Sequence, residues 1–235
     1  MNNYLIKKNQ NEQLFFTDFK EDNLKIKLEN NSHLNSLYFS RLKENKTIDI
    51  DVERDASIDL KFILMNSDSH IDLNININGE NADVKVSTLS LAKDTTKTLN
   101  INIIHNAKYT NSVVVNNGIS FHEGHNVFNV NGTIKEQMAG SNARQITRGL
   151  ILDSTGSCKA LPILYIDNYD VKAYHGATIG KVNDEDLFYL MSRGLSKQES
   201  FMLIINGILE PFIKDLSDEN LKNEIMNKYL SYFGE

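Results

Sequence analysis

The chain has 235 residues, of which 40% are hydrophobic and 24% are charged, and its formal net charge is -6. This length and composition predict a globular protein with one sizeable core. The negative balance, with lysines dispersed among acids, disfavours a nucleic-acid backbone as the main ligand. No apolar run approaches the roughly 18 residues that a membrane span needs, and the N-terminus lacks the pattern of a secretory signal. We therefore expect a cytoplasmic protein whose partners are other proteins.

Cysteine usage limits the metal chemistry of the chain. Cys158 is the only cysteine, so the chain cannot form an internal disulfide or supply by itself the thiolates of a zinc site or an iron–sulfur cluster. The neighbouring Lys159 would lower the thiol pKa only if the two side chains met, and adjacent residues of a strand face opposite ways. We therefore predict an ordinary thiol at a turn.

The first three quarters of the chain have the pattern of β-strands. Residues 1–45 show only short apolar patches, and we leave this N-terminal segment without a defined fold. From residue 46 apolar and polar residues alternate, as at Ile71, Leu73 and Ile75, which is typical of strands with one buried face. Strand starts recur at intervals of 10 to 15 residues, and two strands with their turns would form a coil of about 26 residues. Both a sandwich and a solenoid fit this spacing; we favour a right-handed parallel β-helix over residues 46–180.

After residue 180 the pattern becomes helical, which predicts a small C-terminal helical domain over residues 181–235. Asn183 is a suitable N-cap for a first helix. Ser196 and Glu199 have the spacing of a capping box for a second helix, which Pro211 is expected to kink or end. A third helix has apolar residues at every fourth position: Leu221, Ile225, Tyr229 and Phe233.

Histidines are the main candidates for chemistry. The segment 122–125 (HEGH) has metal-ligand spacing and would form a three-histidine site with His105, but its glycine-containing loop favours an exposed turn. His175 precedes Gly176, which predicts a turn at a strand end, where functional groups are common. Strand parity with Ala173 gives the alternative of an inward-facing, packed histidine. Whether the chain binds a metal is left open.

Two segments closely resemble the SufB/SufD family of iron–sulfur cluster assembly scaffolds. They are residues 170–180 (DVKAYHGATIG) and residues 187–195 (LFYLMSRGL), and a weaker likeness covers about residues 100–215. The resemblance implies a β-helix followed by a helical C-terminal domain. Gly176 after the histidine is similar to the SufD type, whereas SufB proteins typically have glutamate at this position. Thr147 aligns where SufB-like chains have a functional cysteine, which implies that a partner supplies the main cluster thiolate.

The resemblance also implies roles for particular residues. His175 is implied to lie near an interface with a SufB-like chain, where it helps to build a nascent cluster with a cysteine of that partner. The C-terminal helices are implied to dock SufC, an ABC-type ATPase. The candidates for this docking are Phe188, Arg193, Phe201, Met202, Ile205, Leu209 and Phe212. The chain is shorter than a typical SufD, which leaves open a homodimer in place of the pair with SufB.

The implied function is that of a non-enzymatic scaffold subunit. We expect no cofactor bound by this chain alone, but a transient iron–sulfur cluster shared with a partner; flavin binding is left open. Two other interpretations remain at this point. One is a β-helical carbohydrate-active enzyme with a carboxylate pair, because acids are abundant. The other is a purely structural β-solenoid that self-assembles through stacked ends, with the helical tail as a cap against edge pairing.

Overall fold

A computed structural model describes residues 2–17, 21–40, 43–65, 67–214 and 216–233, which form strands in two parallel sheets followed by helices. The strands of the first sheet are β1 (Asn2–Ile6), β3 (Asn23–Leu28), β5 (Glu44–Val52), β7 (Ser69–Ile77), β9 (Thr96–His105), β11 (His125–Ile134) and β13 (Ser157–Ile166). Those of the second sheet are β2 (Asn11–Thr17), β4 (His33–Ser40), β6 (Ser57–Leu64), β8 (Asp83–Lys93), β10 (Asn111–Phe121), β12 (Asn142–Ile151) and β14 (Lys172–Lys181). The helices are α1 (Asp184–Ser192), α2 (Lys197–Ile213) and α3 (Glu219–Phe233).

The chain alternates between the two sheets at every turn, so each coil contains one strand of each sheet. Asn2 pairs with Leu24, 22 residues later, and Phe128 pairs with Ala160, 32 residues later. The coils therefore lengthen along the chain, and the predicted coil of about 26 residues lies within their range. The predicted parallel β-solenoid followed by helices is confirmed.

The solenoid includes the N-terminal segment that we left without a defined fold, from Asn2 onward. Strands β1 and β2 pair with β3 and β4 in the same parallel ladders as the later coils. Leu24, Ile26 and Leu28 are buried like the inward residues of later strands. Strand β1 has only five residues, which is too short for alternation to stand out in a sequence.

In-register pairing stacks the inward side chains in columns. Ile50, Ile75 and Ile103 form one such column, and each is at most 2% exposed. Full burial of a side chain of this size contributes roughly 1.5–3 kcal/mol. The columns thus supply the main stabilising term of the solenoid.

Outward Asn and Asp side chains of the first sheet form ladders from coil to coil. Asn74 donates to Asp49 at 2.9 Å, Asn100 donates to Asp72 at 2.7 Å, and Asn129 donates to Asn100 at 2.7 Å. These contacts explain why Asn and Asp alternate with Ile and Leu in the sequence.

Helices α1 and α2 begin where the sequence predicts. The Asn183 side chain accepts from the Glu185 amide at 3.0 Å, and Ser196 with Glu199 forms a complete capping box. Helix α2 does not end at Pro211 but continues to Ile213. Because Pro211 lies in the last turn, its missing N–H removes only one intrahelical hydrogen bond near the helix end. No helix within the described residues is long and apolar enough to cross a bilayer.

Helices α2 and α3 pack on the outer face of the second sheet and form a second core there. Strands β6, β8 and β10 are therefore buried on both faces in this region. The second core includes Ile63, Leu89, Leu91, Ile119 and Phe121 from the strands, and Ile205, Leu209, Phe212, Ile225 and Tyr229 from the helices.

His105 is an inward-facing residue of β9 and is fully buried. Its Nδ1 lies 2.7 Å from Thr110 Oγ1 and its Nε2 lies 2.9 Å from Ser112 Oγ. Burial lowers the pKa of His105 to about 4, so the ring is neutral at neutral pH and both nitrogens have hydroxyl partners.

We predict that His105 makes the stability of the fold depend on pH. The unfolded chain takes up a proton on this residue near pH 6.5, whereas the folded chain does so only near pH 4. The stabilisation that comes from burying His105 in its neutral form is complete above pH 6.5 and is lost as the pH falls towards 4. Lowering the pH from 7 to 5 should reduce the free energy of unfolding by about 2 kcal/mol through this residue.

Urea unfolding at pH 7 and pH 5 checks this. His105→Gln should be less stable than wild type at pH 7. Lowering the pH to 5 should, however, reduce its free energy of unfolding by about 2 kcal/mol less than it reduces that of wild type. The same pH dependence in wild type and His105→Gln would show that this residue does not titrate as stated.

Candidate functional site

The last coil of the solenoid is open. Strands β13 and β14 have ten residues each. In the described part of the chain, β13 pairs only with β11 and β14 pairs only with β12. The other edge of each strand presents a row of unpaired backbone N–H and C=O groups. Such an edge is a template for pairing with strands of another chain.

The outer face of the first sheet becomes apolar at this end. Leu161, Ile163 and Tyr165 take the register positions that Asn and Thr residues hold in β11. Their exposed fractions are 45%, 40% and 55%. An exposed apolar row beside a free strand edge is typical of an interaction surface.

Strand β14 stays regular throughout, so the predicted turn at Gly176 is wrong. Gly176 pairs with Ile146 of β12 within an unbroken ladder. His175 pairs with Gln145, which is buried in the interior. Parity therefore puts His175 on the inward face of the sheet, yet the residue is exposed because no further coil covers it.

Cys158 lies within β13 and not at a turn, which corrects the predicted location. It faces the solenoid interior, where a Cβ added at Gly149 would lie 2.6 Å from its Sγ atom. The neighbouring Lys159 is exposed on the other face. Burial raises the pKa of the Cys158 thiol to about 11, so the thiol is protonated at neutral pH and is a poor nucleophile.

The structure does not bring the thiol close to His175. Gly149, next to the Cys158 sulfur, pairs with Ile179 of β14, four residues beyond His175. Four residues of strand correspond to about 13 Å. Thr147, which the resemblance aligns with the functional cysteine of SufB-like chains, is buried in the interior.

The segment 122–125 is an exposed turn, as predicted. His122 and Glu123 have positive φ angles of 48° and 56°. His125 lies at the start of β11, whereas His105 pairs with the last residue of that strand, about 30 Å away. A three-histidine site is therefore excluded. Within the described residues, no group of three or more His, Cys, Asp or Glu side chains is arranged to hold a metal ion.

Three of the seven predicted docking residues are buried in the second core. Ile205 and Leu209 are fully buried and Phe212 is 6% exposed, because this face of α2 packs on the second sheet. They stabilise the position of the helix and cannot contact a partner while the helix stays in place.

The other predicted docking residues are accessible to different degrees. Phe188 is 76% exposed. The Arg193 guanidinium lies 5.2 Å from the centre of the Tyr189 ring, where a cation–π contact holds it. Phe201 and Met202 are partly exposed.

Sequence reasoning missed three further exposed apolar residues of the C-terminal helices. Tyr189 and Met191 of α1 are 56% and 46% exposed, and Leu203 of α2 is 53% exposed. Leu187 is the buried residue of α1. For the α1 residues a sequence signal was available. Helix α1 has apolar residues on more than one face, whereas packing on the rest of the protein needs only one apolar stripe.

Comparison with known proteins places these features in a family. Residues 5–208 match the family model described as SUF system FeS cluster assembly, SufBD core domain. The chain is 32% identical over 176 residues to the iron–sulfur cluster assembly protein SufD of Bacillus subtilis, a match that covers 74% of this chain and 40% of that protein. It is 28% identical over 151 residues to SufD of Escherichia coli, covering 64% and 36%.

A SufBD family protein of Staphylococcus haemolyticus is 37% identical over 146 residues, which covers 60% of this chain and 30% of that protein. The chain thus spans two fifths or less of the length of these curated relatives. The matched region includes the open end with His175, the helix α1 and most of α2. The chain belongs to the SufBD core-domain family of iron–sulfur cluster assembly proteins.

Proposed function

We propose that the protein is a SufD-like scaffold subunit of a SUF iron–sulfur cluster assembly complex. It pairs with a SufB-like chain through the open end of the solenoid and docks the ATPase SufC through its C-terminal helices. The observation that carries this proposal is the exposed His175 on an end strand with a free edge, in a chain of the SufBD family. The subunit acts in the cytoplasm as a scaffold and not as an enzyme.

The open end supports pairing with another solenoid. A second solenoid that stacks on β13 and β14 would extend both sheets and satisfy the unpaired backbone groups. It would also cover the apolar row of Leu161, Ile163 and Tyr165. The inward face of β14 would then become interior, and His175 would lie between the two chains.

The chemistry of this end supports a shared cluster. An unprotonated imidazole nitrogen is a ligand for iron, and His175 is exposed where a partner would meet it. The Cys158 thiol is protonated and lies about four strand residues away from His175 along the direction of the strands. Cluster thiolates therefore come from the partner, and the cluster is cargo of the complex that this chain does not hold alone.

The helices support docking of a protein partner. Phe188, Tyr189 and Met191 of α1 expose aromatic and thioether surface, and the Arg193 guanidinium lies over the Tyr189 ring. Aromatic residues, Met and Arg are enriched at the energetically important centres of interfaces. We assign SufC to this surface in place of the buried α2 residues.

The other interpretations have less support. Asp49 and Asp72 accept hydrogen bonds from asparagines of neighbouring coils, which explains acids on the first sheet without a catalytic pair. The exposed strand β14 would also permit a purely structural solenoid that self-assembles through stacked ends; open-ended polymers would support that interpretation, whereas the family match supports an assembly subunit. A homodimer through the same edges is the outcome expected if no SufB-like chain binds, and light scattering of the purified protein would detect it.

We predict that His175→Ala reduces cluster formation in the assembled complex. Loss of one ligand or positioning group should lower the yield of cluster about tenfold or more. The measurement is the visible absorbance after anaerobic reconstitution of the co-expressed complex with ferrous iron and sulfide. His70→Ala, on an exposed outer position, should leave the yield unchanged. A wild-type yield from an intact His175→Ala complex would exclude the proposed role.

We also predict that Phe188→Ala weakens SufC binding about tenfold, because a central aromatic anchor contributes more than 1 kcal/mol. Calorimetric titration of the purified subunit with SufC measures this effect. Leu230→Ala removes a side chain of α3 that is 44% exposed and should bind SufC normally. Equal affinities for the two variants would place the docking surface elsewhere, and failure of wild type to bind SufC or a SufB-like chain would refute the assignment to this complex.

A further inference from the structure

A groove runs between α2 and the outer face of the second sheet. Its first lobe, of about 520 Å³, lies over β6, β8, β10 and β12 and is bordered by Gly207, Ile208 and Pro211 of α2. A second lobe of about 340 Å³ continues past Arg148 and Ile208 towards β14. Each lobe has the size of a small-molecule site.

Cations line this groove although the chain has a net charge of -6. The first lobe is lined by Lys61, Lys85, Arg148 and Lys214, and Lys181 lines the second lobe. Among the described residues that line the first lobe, Asp59 is the one carboxylate. The groove is therefore a local region of positive potential, which attracts an anion.

The partners of these cations identify the group that is free to bind. Lys85 pairs with Asp59 at 2.9 Å, and Lys61 donates to the Pro211 carbonyl at 3.2 Å. Arg148 is exposed and has no carboxylate partner within 4.0 Å in the described part of the chain. A guanidinium presents a planar fork of donors that matches phosphate oxygens.

Gly207 gives an independent indication that the groove accommodates a ligand. It lies within α2, where glycine is less favourable than alanine, and a Cβ at this position would meet nothing within 4 Å. No neighbour in the described chain therefore requires a glycine here. The missing side chain leaves the border of the first lobe open.

The second lobe differs in character from the first. Leu150, Ile204 and Ile208 contribute apolar surface to it. Since Arg148 lines both lobes, an anionic group bound by its guanidinium would leave an attached apolar group facing the second lobe.

We propose that this groove binds a small phosphate ester. Its phosphate lies against Arg148, with Lys61 and Lys214 nearby, and its apolar or aromatic part lies in the second lobe. This site is separate from His175 and from the exposed face of α1, and it does not depend on the proposed role in cluster assembly.

Calorimetric titration of the full chain with phenyl phosphate and with inorganic phosphate tests the proposal. Wild type should bind phenyl phosphate more tightly than inorganic phosphate, because the phenyl group occupies the apolar lobe. Arg148→Gln should weaken phenyl phosphate binding about tenfold or more, since it removes charge-assisted hydrogen bonds. Lys135→Gln, an exposed position outside the groove with the same change of charge, should bind as wild type does.

Gly207→Leu provides a variant that keeps the net charge. Leucine favours helix and fills the border of the first lobe, so this variant should unfold at or above the wild-type temperature but lose phenyl phosphate binding. Equal affinity for phenyl phosphate and inorganic phosphate, equal weakening by Lys135→Gln and Arg148→Gln, or absence of binding by wild type would each overturn the proposal.

Discussion

In-register stacking of parallel coils is the constraint on which the rest of the structure depends. Each strand satisfies its backbone groups through the strands of the coils before and after it, and each inward side chain covers its neighbour in a column. A solenoid built in this way has no internal means of closing its last coil. The free edges of β13 and β14, and with them the exposure of His175, follow directly from this construction.

The same stacking admits polar residues in the interior of the later coils. Asn126 accepts from Ser90 at 2.5 Å and donates to Ser120 at 2.9 Å. Lys97 pairs with Asn126 and lies one coil before it in the same inward column. Burial lowers the pKa of Lys97 to about 7, although Asp68 and Glu44 act to raise it. Buried polar groups cost stability unless they are satisfied, so these contacts favour one register over others more than they add to the stability of the core.

Sequence patterns predicted the features that depend on period and local capping. Alternation at Ile71, Leu73 and Ile75 identified strands, and Ser196 identified the start of α2. The turn predicted at Gly176 was wrong because a glycine signals flexibility, whereas the ladder with β12 keeps the strand extended. Which of the docking candidates are accessible could not be predicted, because the face of a helix that packs is decided by the whole fold. Burial of Ile205 has the same origin.

The connection between β14 and α1 links the two proposed contact surfaces. Only Val182 and Asn183 separate the strand from the helix. Val182 is 8% exposed, and the Asn183 side chain accepts from the Glu185 amide, so both linker residues are held in place. A displacement of α1 by a docked partner would therefore act on the end of β14 directly, without a flexible segment to absorb it. Under the proposed function, this short connection would link the surface that docks the ATPase to the end where the cluster is assembled.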